Sequence, residues 1–243
     1  VKTIDLNCDL GEGAGQDAAL MPLITSANIA CGVHAGDPAT MRATAELARE
    51  HGVAVGAHPG FDDREHLGRL ELRLATGEVR ALVAEQLATL RAVGPVRHLK
   101  PHGGLYTLAA RDRGVAAEIV DAIEAVDRRL ILFALAGSVL AAVGRERGLR
   151  VAEEVFADRT YRPDGQLTPR SEPDALIVEP AAMIAQLRRM IETGTVRATQ
   201  GAEVPITADT VCLHGDGPRA VAFAHEIRTQ LAAAGVAIRP VFA

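Results

Sequence analysis

Apolar residues along this chain occur in two kinds of segment that alternate: short runs, some continuous and some, as at residues 3–8, weakly alternating with polar positions, and longer stretches with a helical repeat. The short runs cover residues 3–8, 27–31, 53–57, 96–100, 130–135, 149–155, 175–178 and 210–213, and each predicts a strand. Segment 235–241 closes the chain in extended form. Between the runs, Met41, Thr44, Ala45 and Ala48 share a helix face that opens at Asp37-Pro38, an N-cap with a first-turn proline, and stops at Gly52. A second stripe comprises Val79, Leu82, Val83, Leu87, Leu90 and Val93, capped by Thr76 and ended by Gly94-Pro95. Val115, Ile119, Ile123 and Val126 form a third, and residues 137–147 a short helix. Met183, Ile184, Leu187, Met190 and Ile191 form another between Pro180 and Gly194, and 218–234 is the last helix. Segments 61–74 and 162–173 have charge or proline without a period and predict long loops, the first placed as a lid over a site.

Strand and helix in alternation predict a parallel sheet with right-handed crossovers. Its strands are followed by polar, glycine-bearing turns: Cys8-Asp9-Leu10-Gly11-Glu12-Gly13, Cys31-Gly32-Val33-His34-Ala35-Gly36-Asp37, Ala57-His58-Pro59-Gly60, Lys100-Pro101-His102-Gly103-Gly104, Phe156-Ala157-Asp158-Arg159 and His214-Gly215-Asp216-Gly217-Pro218. An open sheet concentrates its ligand turns at one switch point, whereas a closed barrel spreads them around its rim. The expectation is one TIM-like β/α barrel domain over residues 1–243, with seven or eight parallel strands and a site at their carboxyl ends.

Composition narrows the function. Hydrophobic residues make up 48% and charged ones 23%, enough for a large core, while aromatics are only 3% with no Trp, which removes the usual stacking platform for single-stranded nucleic acid. A net charge of -5 gives neither a polyanion nor an anionic membrane a reason to bind the chain as a whole. Cys8, Cys31 and Cys212 form no C-x-x-C pair and sit in or beside apolar runs, as reduced thiols of a cytoplasmic protein do. No apolar run approaches the about 18 residues of a membrane span, and no basic leader precedes the first strand pattern.

Four of the eight histidines, His34, His58, His102 and His214, fall in the turns after strands, and convergence on one rim favours a catalytic over a structural role. His98 is left outside the set. Two chemistries use such residues: neutral imidazoles with Asp9 or Glu12 hold a divalent metal that activates water, or histidine and carboxylate act directly as base and acid. Candidate metal ligands are Asp9, His34 and His58. No H-E-x-x-H pair decides between the two. Lys100, Arg159 and Arg170 bring positive charge to hold a carboxylate or phosphate, the alternative being ion pairs with Glu12, Glu154 or Asp158. The loop 11–15 does not complete G-x-G-x-x-G, and Glu12 would repel a pyrophosphate.

In order, the runs Asp5-Leu6-Asn7-Cys8-Asp9-Leu10-Gly11-Glu12-Gly13, Ser26-Ala27-Asn28-Ile29-Ala30-Cys31-Gly32, His34-Ala35-Gly36-Asp37-Pro38, Gly56-Ala57-His58-Pro59-Gly60, Lys100-Pro101-His102-Gly103, Phe156-Ala157-Asp158-Arg159 and His214-Gly215-Asp216 resemble the LamB/YcsF family across almost the whole chain. The chain departs from the family pattern at Leu70, Gly104 and Thr107. The resemblance implies a barrel related to the glycoside hydrolase/deacetylase group and a part in ATP-dependent opening of 5-oxo-L-proline to L-glutamate, with two partner subunits, B and C, of a 5-oxoprolinase. It implies catalytic roles for Asp9, Glu12, His58, Lys100, His102, Asp158 and Arg159, and substrate contacts from Asn7, His34, Arg69, Arg170, His214 and Asp216. ATP is then a co-substrate, and a Mg- or Zn-like divalent ion a further candidate cofactor. Two other readings stand beside it: a protein that binds substrate or scaffolds the complex without catalysing, and a metal-dependent deacetylase-like amidohydrolase.

Overall fold

The computed structural model describes residues 2–213 and 219–241. In chain order the elements are β1 (Thr3–Leu10), α1 (Asp17–Leu20), a 3-10 turn at Met21–Leu23, β2 (Ser26–Ala30), α2 (Pro38–His51), β3 (Ala54–His58), α3 (Glu78–Arg91), β4 (His98–Leu99), α4 (Gly103–Ala109), α5 (Arg113–Val126), β5 (Ile131–Leu135), α6 (Val139–Glu146), β6 (Arg150–Phe156), α7 (Pro180–Thr193), β7 (Thr195–Arg197), β8 (Glu203–Pro205), β9 (Thr210–Leu213), α8 (Ala220–Ala233) and β10 (Ala237–Ile238). Seven parallel strands close a barrel in the order β1-β2-β3-β4-β5-β6-β9, with β9 returning to β1. β10 pairs with β1 at Thr3 and Ile4, just below the stretch from Asp5 to Cys8 that β9 occupies. β7 and β8 form an antiparallel hairpin outside the barrel.

Strand alternation divides the barrel wall into two environments. On β1, Ile4, Leu6, Cys8 and Leu10 join the main hydrophobic cluster with the inner faces of the helices, including Met41 and Ala48 of α2, Leu87 and Leu90 of α3, and Ile119 and Ile123 of α5. Asp5, Asn7 and Asp9 take the other side and meet polar side chains of neighbouring strands in the lumen. A usual β/α barrel fills its lumen with branched apolar residues. Here a polar column occupies it, and Ile131, Phe133 and Ala152 form a separate small apolar cluster.

α2 begins and ends as its sequence predicts: Asp37 accepts from the Thr40 amide at 2.7 Å, and Gly52 takes a left-handed conformation at φ 67°. At α3 the predicted Thr76 cap is replaced by Gly77, while the Glu78 carboxylate accepts from the Ala75 amide at 2.6 Å. The strand expected at 175–178 does not form. Leu176 makes one isolated antiparallel bridge to Arg159 in a proline-punctuated segment. Helix α4 and the β7–β8 hairpin are additions to the sequence reading.

Candidate active site

The carboxyl ends of β1, β3 and β4 bring Asp9, His58 and Lys100 together. Lys100 Nζ lies 2.9 Å from Asp9 Oδ1, 2.9 Å from Glu154 Oε1, and 3.0 Å from Cys212 Sγ. Burial opposes its charge, but Asp9, Cys212 and Glu154 outweigh burial and hold the ammonium pKa well above its ordinary value. Asp9 answers in kind: burial disfavours its ionised form, yet His58 and Lys100 keep its carboxyl well below the usual carboxylate range. Both carboxylates beside Lys100 are themselves anchored, since Asn28 donates to Asp9 Oδ1 at 2.8 Å and Tyr106 to Glu154 Oε2 at 2.7 Å.

Above this layer three imidazoles meet. His34 and His102 stack at 3.9 Å between centroids, and His58 stands edge-on to both. His58 Nδ1 donates to the Lys100 carbonyl at 2.8 Å, and its Nε2 lies 3.4 Å from Asp9 Oδ2 and 2.9 Å from His102 Nδ1. His102 Nε2 donates to the Leu67 carbonyl at 2.8 Å. Glu12 Oε1 is 3.4 Å from both His34 Nε2 and His102 Nδ1. Burial, then the charge of His58, push His34 and His102 down to about 3, so both are neutral. For His58 burial also works against the charged ring, but Asp9 outweighs it and the pKa is raised.

The predicted lid is present as a loop packed on these rings. Gly68, at φ 65°, lies so close that a Cβ there would stand 2.8 Å from the His34 Cβ, and Gly104 donates to the Gly68 carbonyl at 2.9 Å. Arg64 reaches across to the Gly32 and Gly36 carbonyls at 2.6 Å. The family departures Leu70, Gly104 and Thr107 fall together in this seam: a Cβ on Gly104 would come within 2.1 Å of the Leu70 carbonyl oxygen, and Thr107 donates to Glu71 at 2.9 Å. Gln86 holds the turn after β3 by donating to the Gly60 carbonyl at 2.8 Å and accepting from its amide at 3.1 Å.

Of the residues expected at the site, Asp9, Glu12, His34, His58, Lys100 and His102 converge. The metal candidates regroup: Asp9 and His58 stand with His102, while His34 stands with Glu12 and His102. Asn7 is buried one layer down, donating to Glu154 and Thr210 and accepting from Asn28, and so positions the site. Arg159 donates to the Thr168 and Ala175 carbonyls rather than pairing with Glu12 or Glu154. Burial and the neighbouring charge of Arg170 lower its pKa to about 10. Asp158 is half-buried on the same turn, and Arg69 and Arg170 are exposed. His214 and Asp216 lie outside the described residues.

Sequence reasoning missed the residues beneath the rim. His98 points into the lumen with Lys100, two positions along the same segment, and donates to Asn28 Oδ1 at 2.8 Å. Gly56 makes room for it, since a Cβ there would sit 2.0 Å from His98 Nε2. Asp5 closes the column below, accepting from Ser26, Thr25 and Thr210. The signal was the polar alternation Asp5, Asn7, Asp9 and Ser26, Asn28.

The LamB/YcsF family model matches residues 4–243. A Brevibacillus brevis protein, named as the A component of 5-oxoprolinase, is 48% identical, with all of both chains covered. One of the same name from Methylococcus capsulatus is 50% identical, covering 98% of this chain and 95% of its own. The crystal structure of a lactam utilization protein from Thermus thermophilus superposes with a TM-score of 0.90 at 44% identity, covering 98% of this chain and 99% of that one.

Proposed function

This chain belongs to the LamB/YcsF family, and from that membership and the geometry of the rim we propose that it is the barrel subunit of an ATP-dependent 5-oxoprolinase, working with subunits B and C. The reaction opens 5-oxo-L-proline to L-glutamate while ATP becomes ADP and phosphate. The names of its relatives and the lactam utilization fold support the substrate class. The observation that carries the assignment of chemistry to this chain is the enclosed cluster of Asp9, His58, Lys100 and His102 under the 61–74 loop, with Glu12 the most open of its members at 19% side-chain exposure.

A lactam is a poor electrophile, because amide resonance withdraws its carbonyl carbon from attack. Phosphorylation of the carbonyl oxygen at the expense of ATP removes that protection and supplies a leaving group. Water then adds to the carbonyl carbon and loses its proton to Glu12; the adduct breaks its C–N bond as that proton passes to the ring nitrogen, and a second water hydrolyses the resulting glutamyl acyl phosphate to glutamate and phosphate. Lys100 holds Asp9 ionised, Asp9 in turn favours the charged ring of His58, and that positive ring is the group placed to meet developing oxyanion character, in surroundings too dry to screen it. Arg159 and Arg170, close enough for the charge of one to depress the other, are the cationic pair for anionic oxygens of substrate or phosphate.

A chain that binds substrate while its partners perform the chemistry is the competing reading, favoured by the burial of Lys100, only 2% exposed. Glutamate and ADP release from 5-oxoproline and ATP, measured with all three subunits, separates the two. Loss of both products in His58→Ala and Lys100→Ala supports chemistry here. Retained turnover assigns the chemistry to the partners.

A further inference from the structure

We infer that Asp9, His58 and His102 form a binding site for one divalent transition-metal ion of the zinc type, with Glu12 beside its open position. What the ion does rests on the function proposed above; whether it binds does not.

Hydrogen-bond accounting leads to the site. Backbone carbonyls only accept, so His58 Nδ1 and His102 Nε2 each carry the proton that reaches the Lys100 and Leu67 carbonyls, both at 2.8 Å. In the neutral form that ligates a metal, each ring keeps one lone pair, on His58 Nε2 and His102 Nδ1, and these two nitrogens face each other at 2.9 Å. The contact requires something positive between them: a proton that charges His58, as Asp9 favours when no ion is bound, or an ion that displaces that proton. A carboxylate joins them: Asp9 Oδ1 is engaged by Lys100 and Asn28, leaving Oδ2 at 3.4 Å from His58 Nε2.

What favours an ion is the convergence of carboxylates on the same two nitrogens. Glu12 Oε1 lies 3.4 Å from His102 Nδ1 and 3.9 Å from His58 Nε2. His58 Nε2, 2.9 Å from His102 Nδ1 and 3.4 Å from Asp9 Oδ2, shares three corners of a ligand set with those two atoms, and Glu12 stands on the side of the fourth, open position. A tetrahedral ion with bonds of about 2.1 Å places its ligands about 3.4 Å apart. Both ligand rings are oriented by a carbonyl on their far nitrogen, the arrangement that fixes tautomer and raises basicity in metal-bound histidine. One of those carbonyls belongs to Leu67, at φ 53° the one non-glycine residue of positive φ among the described residues. The backbone is held in an unfavourable conformation where it aims an acceptor at His102.

Two imidazoles and one carboxylate favour a zinc-like ion over magnesium, which prefers an all-oxygen shell. His34 is not a ligand: its Nδ1 is buried against Gly60, where a Cβ would stand 2.7 Å away, and its Nε2 donates to Glu12 at 3.4 Å. It orients the carboxylate that faces the open position.

The test uses the full chain, stripped with a chelator and titrated with zinc(II) and cobalt(II) alone, followed by calorimetry, metal mass spectrometry and the visible absorption of four-coordinate cobalt. The expected result is one equivalent bound, weakened at least about tenfold in His58→Ala and in His102→Ala, and unchanged in His66→Ala. Circular dichroism checks the fold, and the cobalt spectrum of the unmutated chain stands even if a variant fails to fold. No saturable binding, or binding unaffected in both folded variants, overturns the site. Saturable binding without lactam turnover by the three-subunit enzyme would defeat the proposed function and leave the site standing.

Discussion

Asp5 carries the sharpest stability prediction, because its surroundings conflict. It is fully buried at the base of the lumen column and accepts from Thr25, Ser26 and Thr210, bonds that favour its ionised form. Burial wins, raising its pKa from 3.8 to about 6. The native state therefore holds this proton more tightly than the unfolded chain does. Between about pH 4 and 6 the folded protein binds more protons, so stability falls as pH rises through that window, and the loss is complete above it. At about 1.4 kcal/mol per pH unit, the shift amounts to about 3 kcal/mol. Other carboxylates such as Asp127, lowered by Arg129, act in the opposite sense, so the readout is a difference. Urea unfolding of the unmutated protein and of Asp5→Asn across about pH 4 to 7.5 should show the unmutated protein losing about 3 kcal/mol relative to the variant as pH rises. The lost carboxylate adds only an offset independent of pH. A flat difference, or one of opposite slope, would refute the claim that burial dominates at Asp5.

Two smaller predictions follow from close contacts. Gly56→Ala should destabilise by about 1–3 kcal/mol in denaturant unfolding, because the new Cβ meets the His98 ring, and adding His98→Ala should recover much of the loss. Asp37→Ala removes the α2 cap and should cost about 1 kcal/mol without changing turnover, since its carboxylate reaches only the helix start.

The barrel was legible because its strands and helices announce themselves by different periods and by stops such as Gly52 and Gly194. α4 escaped because Gly103-Gly104 reads as a loop. Leu105, Tyr106 and Ala109 nevertheless bury one face of that turn, and tertiary packing overrides the weak propensity. The strand at 175–178 failed for the opposite reason: its apolar run is short, and Leu176 and Val178 are left exposed. At the site, residues in turns were easy to find because a charged group after an apolar run has few packing roles. Asn28, His98, Glu154 and Tyr106 were harder, since their importance lies in a register that only a closed barrel creates. Arg159 shows what charge alone does not reveal: Nε and Nη2 of its guanidinium are oriented by two carbonyls, so it meets an anion from a fixed position.

If this chain, and not a partner, removes the proton from water during lactam opening, Glu12 is the base that does so. Glu12→Gln keeps the size and the hydrogen bond from His34 while removing that base. The decisive experiment is glutamate release by the three-subunit enzyme carrying this change, alongside direct measurement of 5-oxoproline binding. Turnover should fall about 10²- to 10⁴-fold with binding retained. Turnover within a few-fold of the unmutated enzyme would contradict the assignment of the base to this chain.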